Sequence, residues 1–385
     1  MANTPQYKDT GYGSFWGEYL FEKVVPKDHF LRALRELFEW QELGERLIRL
    51  YQGKGMIGRP PYDPSLMFRM FFLSYLYNLS ARDTERLASE NIPARFFLNL
   101  ALDQPVPDHS TMTLFKERLL AEGNWDVLQG IFDDLLRQAQ DRGLRPGCIQ
   151  IVDSVHTQAN VNAAKDKERQ EQGQEPRDAE ARVVHKGERE VVEPDGKKVK
   201  RLLRYRGYKT HVSLDAKTRL VTSLKPDWGD SADNKAFPTL LEHDRALGLP
   251  THTYGGDKAY DDTDLFERLE QLGLHVGITL RRTRTSKKDA HKERWLELQK
   301  TPHYRVATAL RYRVEQPFGQ AKDKHGFERC RYLGLLNYGF QAFFTFLVLN
   351  AKRAVKLLTG ITLRKLAKGR HKEVFRPVYA SLPWA

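Results

Sequence analysis

Cysteine is nearly missing from this chain: Cys148 and Cys330 are the only two in 385 residues, too few for a disulfide framework or a thiolate zinc site. No apolar run reaches the ~20 residues that a membrane-spanning helix needs. The longest candidate, FQAFFTFLVLNAKRAVKLL, is interrupted at Asn350 and Lys352 and predicts a buried core helix. The opening MANTPQYKDTGYGSFWGEYLF has neither the basic start nor the continuous apolar stretch of a signal peptide, and no repeat of solenoid length recurs. These absences point away from secreted, membrane and repeat proteins and make the cytoplasm the expected compartment.

Positive charge, by contrast, is abundant. Lys and Arg number 63 against 50 Asp and Glu, a formal net charge of +13, which favours a polyanionic partner such as nucleic acid, although an ordinary basic protein has the same sum. With 40% hydrophobic residues the chain can bury a substantial core, and its length suits about two domains.

From Phe30 to Arg142 the apolar spacing is helical almost throughout. Asp63-Pro64 makes an N-cap and first-turn pair for PSLMFRMFFLSYLYNL, Ser80 and Asp83 have capping spacing before DTERLAS, and Asp108 or Ser110 caps TMTLFKERLLAE. Short helices with Gly, Pro and Asn punctuation suit a helix-turn-helix-like bundle offering Lys54, Arg59, Arg82, Arg86, Lys116 and Arg118 to phosphates. An ordinary bundle with solvated charges fits the same pattern.

At about Gly147 the period changes. CIQIVDSVH reads as a buried strand, and residues 164–203 are so charged that they predict an exposed insertion or flexible loop. YRGYKTHVSLD and RLVTSLK form a predicted hairpin around Ala216-Lys217-Thr218, followed by a helix near AFPTLLEHDRAL, a strand ending at Asp257, a helix through DDTDLFERLEQLG and a strand HVGITL. Strands mixed with crossover helices imply an α/β sheet. The expected division is 1–143 helical, 144–358 α/β, and 359–385 a basic C-terminal tail.

Three acids stand out by position. Asp153 closes CIQIV, Asp257 closes THTYGG, and Glu315 sits on a helix after the last strand. Ligands collect at the carboxyl ends of strands in open α/β sheets, so two strand-end acids and one helix acid can make an oxygen-rich site suited to Mg²⁺ or Mn²⁺. Each acid alone reads equally well as a turn, cap or surface residue. In RYRVEQPFGQAK, Arg311 and Lys322 fall about 40° and 20° from Glu315 on a continuous helix, which fits either a surface salt-bridge face or a ligand flanked by phosphate-binding cations. Lys258, next to Asp257, is a further phosphate candidate.

The motifs DSVHTQAN, GYKTHVSLD, GDKAYDD and R-x3-E-x6-K, in that order, resemble the bacterial insertion-sequence DDE transposases of the superfamily named after insertion sequences four and five. The upstream stretch from Tyr62 to Leu119, with its PDHST turn, is similar to the helical domain that precedes the catalytic domain there. The resemblance implies a ribonuclease H-like catalytic domain preceded by an all-α DNA-binding domain. It implies an acidic triad of Asp153, Asp257 and Glu315 holding two Mg²⁺ ions, with Arg311 and Lys322 on transposon-end DNA. It also implies terminal inverted repeats and target DNA as partners, a homodimer on that DNA, and cleavage followed by strand transfer. A nuclease that joins nothing, and a DNA-binding protein without chemistry, are the alternatives. Thr308 stands where the family pattern has a Tyr, and Pro317 follows Glu315 closely enough to bend a helix there.

Overall fold

The computed structural model describes residues 7–11, 15–51, 60–121, 124–192, 198–286 and 288–363. Lys54, Arg59 and the basic tail from residue 364 onward lie outside the described residues.

Helices α1 (Phe15–Val24), α2 (Phe30–Leu37), α3 (Trp40–Ile48), α4 (Pro64–Leu76), α5 (Ala81–Glu90), α6 (Ile92–Leu98), α7 (His109–Leu120) and α8 (Trp125–Asp141) come first. Local capping chemistry starts several of them. The Asp63 carboxylate accepts the Ser65 amide at 2.6 Å, and the Ser80 hydroxyl accepts the Asp83 amide at 3.1 Å while donating to its carboxylate at 2.7 Å. At α7 the cap is Asp108, which accepts the Thr111 amide at 2.6 Å, with Ser110 donating to the same carboxylate. Every residue of α4 is buried, as a helix apolar on all faces requires. Its one cation, Arg69, is met by the Phe97 carbonyl and the Ser65 hydroxyl.

The second half contains β1 (Ile149–Gln158), α9 (Ala163–Glu171), β2 (Arg182–Val192), β3 (Lys198–Asp215), β4 (Val221–Trp228), α10 (Asp233–Ala246), β5 (Thr253–Gly256), α11 (Thr263–Gln271) and β6 (His275–Ile278). Helices α12 (Lys292–Lys300), α13 (Pro302–Leu310), α14 (Glu315–His325) and α15 (Leu335–Thr359) close the described chain. The strands form one sheet in which β3 pairs antiparallel with β1 and β4, while β5 and β6 run parallel to β1. This is the ribonuclease H-like α/β order. Strand β2 pairs with the first half of β3, so residues 164–203 hold α9, β2 and the start of β3 rather than a loop. Charge had suggested disorder there, but backbone pairing with the long β3 supplies the ladder that composition does not show.

Alternate residues of β1 face two cores. Ile151 and Val155 join the core shared with α15 and the N-terminal helices, whereas Val152 joins Phe237, Tyr254 and Phe266 on the α10–α11 side. Helix α15 ties the two halves of the chain together: Phe71 meets Phe340 at 5.0 Å, Tyr75 stacks on Phe344 at 5.3 Å, and Tyr208 stacks on Tyr338 at 4.9 Å. Each such buried ring contributes about 1.5–3 kcal/mol of burial free energy. Among the described residues no helix is long and apolar enough to cross a membrane.

Candidate active site

Strands β1 and β5 pair in parallel as far as Val152–Gly256, so Asp153 and Asp257 follow side by side as the β5 ladder ends. The sequence placed Asp153 at the end of its own strand. Strand β1 instead runs on to Gln158, held by β3 down to the Gln158–Gly207 pair, and Asp153 marks only where the parallel neighbour stops. Beyond β5, the Asp257 carboxylate turns back to accept the Ala259 amide at 2.8 Å, capping the short helical turn Lys258–Tyr260. Lys258 is exposed on that turn, and its carbonyl accepts Arg281 Nε at 3.1 Å.

Burial pushes the Asp153 carboxyl up to about 7, and the facing charge of Asp257 adds to the shift against the Ser154 amide and the Arg311 guanidinium. A carboxyl in that state gains most from a cation, because the cation removes both the desolvation cost and the repulsion.

Arg311 reaches this face because α13 packs unusually close to the sheet. A Cβ on Gly277 would lie 2.3 Å from the Ala307 Cβ, and one on Gly255 would lie 3.2 Å from the same atom, so two bare strand positions let α13 seat on β5 and β6. After Leu310 the chain tightens into a 3-10 turn, Arg311–Val314, and α14 starts afresh at Glu315. Pro317 accounts for the break: a continuous helix would drive its ring against the Arg313 carbonyl, whereas in the first turn of a new helix its missing amide costs nothing. The predicted single helical face is therefore two short pieces, yet Arg311 and Glu315 still approach to 3.9 Å. The Arg313 guanidinium donates to the Ala216 carbonyl, fixing the turn against the β3–β4 hairpin. At Thr308 the hydroxyl bonds back to the Tyr304 carbonyl at 2.8 Å, and the Tyr304 hydroxyl accepts the Leu280 amide at 3.2 Å.

The structure brings Asp153 and Asp257 together but leaves Glu315 apart, with 65% of its side chain exposed. Among the described residues no three His, Cys, Asp or Glu side chains are assembled to hold a metal ion. The donors that do converge are carboxylate oxygens from neighbouring strands, with a raised carboxyl among them, a set that fits a hard divalent cation. Lys322, half-buried, lies about two turns along α14 from Glu315.

Sequence reasoning missed Asp233. It opens α10, with Lys209 Nζ at 3.4 Å and His211 Nδ1 at 3.2 Å, both from buried positions on β3. Burial opposes its ionisation, but the close approach of the His211 ring, the Lys209 charge and the Ser154 hydroxyl outweigh it and hold the carboxyl down at about 2. The buried Tyr260 hydroxyl has no hydrogen-bond partner among the described residues, and the charges of Asp233, Asp153 and Asp257 all bear on it, raising it well above the usual phenol range after burial has done most. The Asp-Asn pair just before AFPTLL was the available signal, outside the stretch read as a helix near AFPTLLEHDRAL. Exposed Arg281 and Arg282, just after β6, were likewise overlooked in RRTRTSKK.

Residues 19–118 match a family model described as a transposase domain, DUF772, and residues 144–351 match one described as a transposase DDE domain. Among solved structures, the piggyBac transposase synaptic complex with hairpin DNA aligns over 88% of this chain and 78% of its own, at 10% identity and a TM-score of 0.42. The Mos1 transposase paired-end complex with left transposon end aligns over 74% of this chain and 88% of its own, at 11% identity and a TM-score of 0.19.

Proposed function

Because this chain belongs to the transposase DDE domain family and is a divalent-metal-dependent DNA transposase, we propose that Asp153, Asp257 and Glu315 are its catalytic acids and that they hold two Mg²⁺ ions, with Mn²⁺ as a substitute. The observation that carries this reading is the register of β1 and β5, which sets Asp153 beside Asp257 on the face that Arg311 approaches. Glu315, one turn from Arg311, completes the triad when α14 and bound DNA draw it in. When bound, the ions supply a water or 3′ hydroxyl activated for attack and a stabilised leaving oxygen in an in-line phosphodiester displacement.

The chain's own groups position the DNA. Arg311 on the Glu315 side and Lys258 next to Asp257 bring charge to the two acids, so a phosphate between them is held from both flanks, and Lys322 holds a phosphate further along α14. The N-terminal helices read the terminal inverted repeats, with exposed Arg82 and Arg86 on α5 as phosphate contacts. Lys116 and Arg118 are engaged inside the protein, lying 3.9 Å over the Tyr332 ring and 4.8 Å over the Tyr51 ring. Two copies pair the ends of the element, in the cytoplasm of a bacterial cell, where the nucleoid supplies target DNA.

Supplying a pre-cut end with a free 3′ hydroxyl, target duplex and Mg²⁺ tests this reading. Joined product supports a transposase that completes strand transfer; hydrolysis of fresh ends with no joining under any metal would leave a nuclease instead.

A further inference from the structure

Beside Glu315, α14, α15 and the β3–β4 turn enclose a concavity of about 210 Å³. Its lining includes Arg219, Lys352, Arg353 and Lys356 and no Asp or Glu. None of these four cations forms an ion pair with a carboxylate among the described residues; their contacts are to neutral groups. Arg219, held at φ 61° on the turn, donates to the Gln316 side chain, Lys352 approaches His325 Nε2 at 2.9 Å, and Arg353 Nε donates to the Thr218 carbonyl at 2.9 Å.

Crowding like charges without a counter-charge is costly, and the side chains register it. Burial, with the Lys324 charge adding to it, pushes the Lys352 ammonium down to about 8, and burial with the Arg219 charge lowers Arg353. The fold nevertheless fixes the arrangement. Asn350, one turn before Arg353, exchanges both of its amide hydrogen bonds with the Val221 backbone, accepting at 2.8 Å and donating at 2.7 Å, so α15 cannot rotate its cations away from the turn. An anion would relieve the repulsion, and the donors already face one cavity.

We propose that this concavity is a phosphate site for the backbone of a DNA strand, gripping it beside the phosphate that Glu315 serves. Gln316 lines the concavity and directly follows Glu315, so the strand passes from one site to the other without leaving the surface. The assignment rests on the proposed role of Glu315 for its meaning, but binding, rather than cleavage, is its readout.

The experiment is a salt titration of full-length protein binding to a labelled duplex in EDTA. The variants are Arg219→Gln with Lys356→Gln, and Lys356→Glu alone, the latter at a solvent-exposed helix position that does not threaten folding. Removing one phosphate-binding cation should lower the slope of log K against log salt by about 1, and the double variant should bind about tenfold more weakly at about 0.1 M salt. Unchanged slope and affinity in both variants would overturn the site. Millimolar inorganic phosphate or ATP that raises the melting temperature of the parent but not of the double variant, with the DNA slope unmoved, would assign the pocket to a free phosphate and overturn the DNA occupant. A lowered slope together with full cleavage by Glu315→Gln would uphold the pocket while removing the triad. The opposite pair of results would do the reverse.

Discussion

His325 Nδ1 lies 2.8 Å from the carbonyl oxygen of Tyr75, joining the end of the helix that begins at Glu315 to the buried α4 of the N-terminal half. The imidazole is neutral in this position, donating from Nδ1 and accepting from the Lys352 ammonium at Nε2, 2.9 Å away. Burial, then the Lys352 charge, push its protonation down from 6.5 to about 4, against the pull of the Tyr75 carbonyl.

That depression has a signed consequence. The unfolded chain binds the proton below about 6.5 and the folded chain only below about 4, so the stability His325 contributes is complete above the higher value and is lost as pH falls through the interval. Over about 2.5 pH units the loss amounts to about 3 kcal/mol. Denaturant midpoints measured from pH 7.5 to 4 should fall in the parent and fall less steeply in His325→Gln; parallel curves would show that this histidine is not the group responsible.

Gly277→Ala places a methyl against Ala307 where no space exists. The substitution should cost about 1–3 kcal/mol of stability and move α13, and with it Arg311, off the sheet. Ala307→Gly in the same chain should recover part of both effects, which thermal melts and end-cleavage rates would record.

Asp233→Asn leaves Lys209, only 8% exposed, without its carboxylate. About 3 kcal/mol or more of destabilisation is expected, and Lys209→Met added to it should restore most of that, since an apolar replacement of both partners avoids the stranded charge. Failure of the double variant to recover stability would show that the partner that matters is His211 or Ser154.

How far the sequence disclosed this arrangement depended on range. The caps at Asp63, Ser80 and Asp108 were legible because a side chain and an amide two or three residues away decide them. The hairpin of β3 and β4 was legible for the same reason. The strand β2 was not, because its partner ladder lies across a charged segment whose composition argues for solvent. The neighbourhood of Asp153 and Asp257 was half legible: strand ends were right for Asp257 and wrong for Asp153, whose strand is prolonged by its pairing with β3. Asp233 was invisible as a site neighbour, since its contacts come from Lys209 and His211, more than twenty residues back, and only the sheet brings them to α10. The break before α14 was written in Pro317, but its outcome, a 3-10 turn rather than a bend, needed the anchoring of Arg313 on Ala216.

Arg311→Gln separates two meanings of one side chain. As a surface pair at 3.9 Å with a largely exposed Glu315, it contributes about 0–1 kcal/mol, so the melting temperature should hardly move. As a phosphate-binding cation, its removal should weaken end binding and reduce the salt slope by about 1. A variant with unaltered binding would return Arg311 to the role of a solvated helix charge.

Glu315→Gln, assayed for cleavage of a labelled transposon-end duplex in Mg²⁺ beside a binding titration on the same DNA, tests the central assignment most directly. The substitution keeps size and hydrogen bonding at an exposed position and removes the charge proposed to ligate metal. Cleavage should fall by about a hundredfold or more while binding stays within about threefold of the parent; cleavage at the parental rate would contradict the triad.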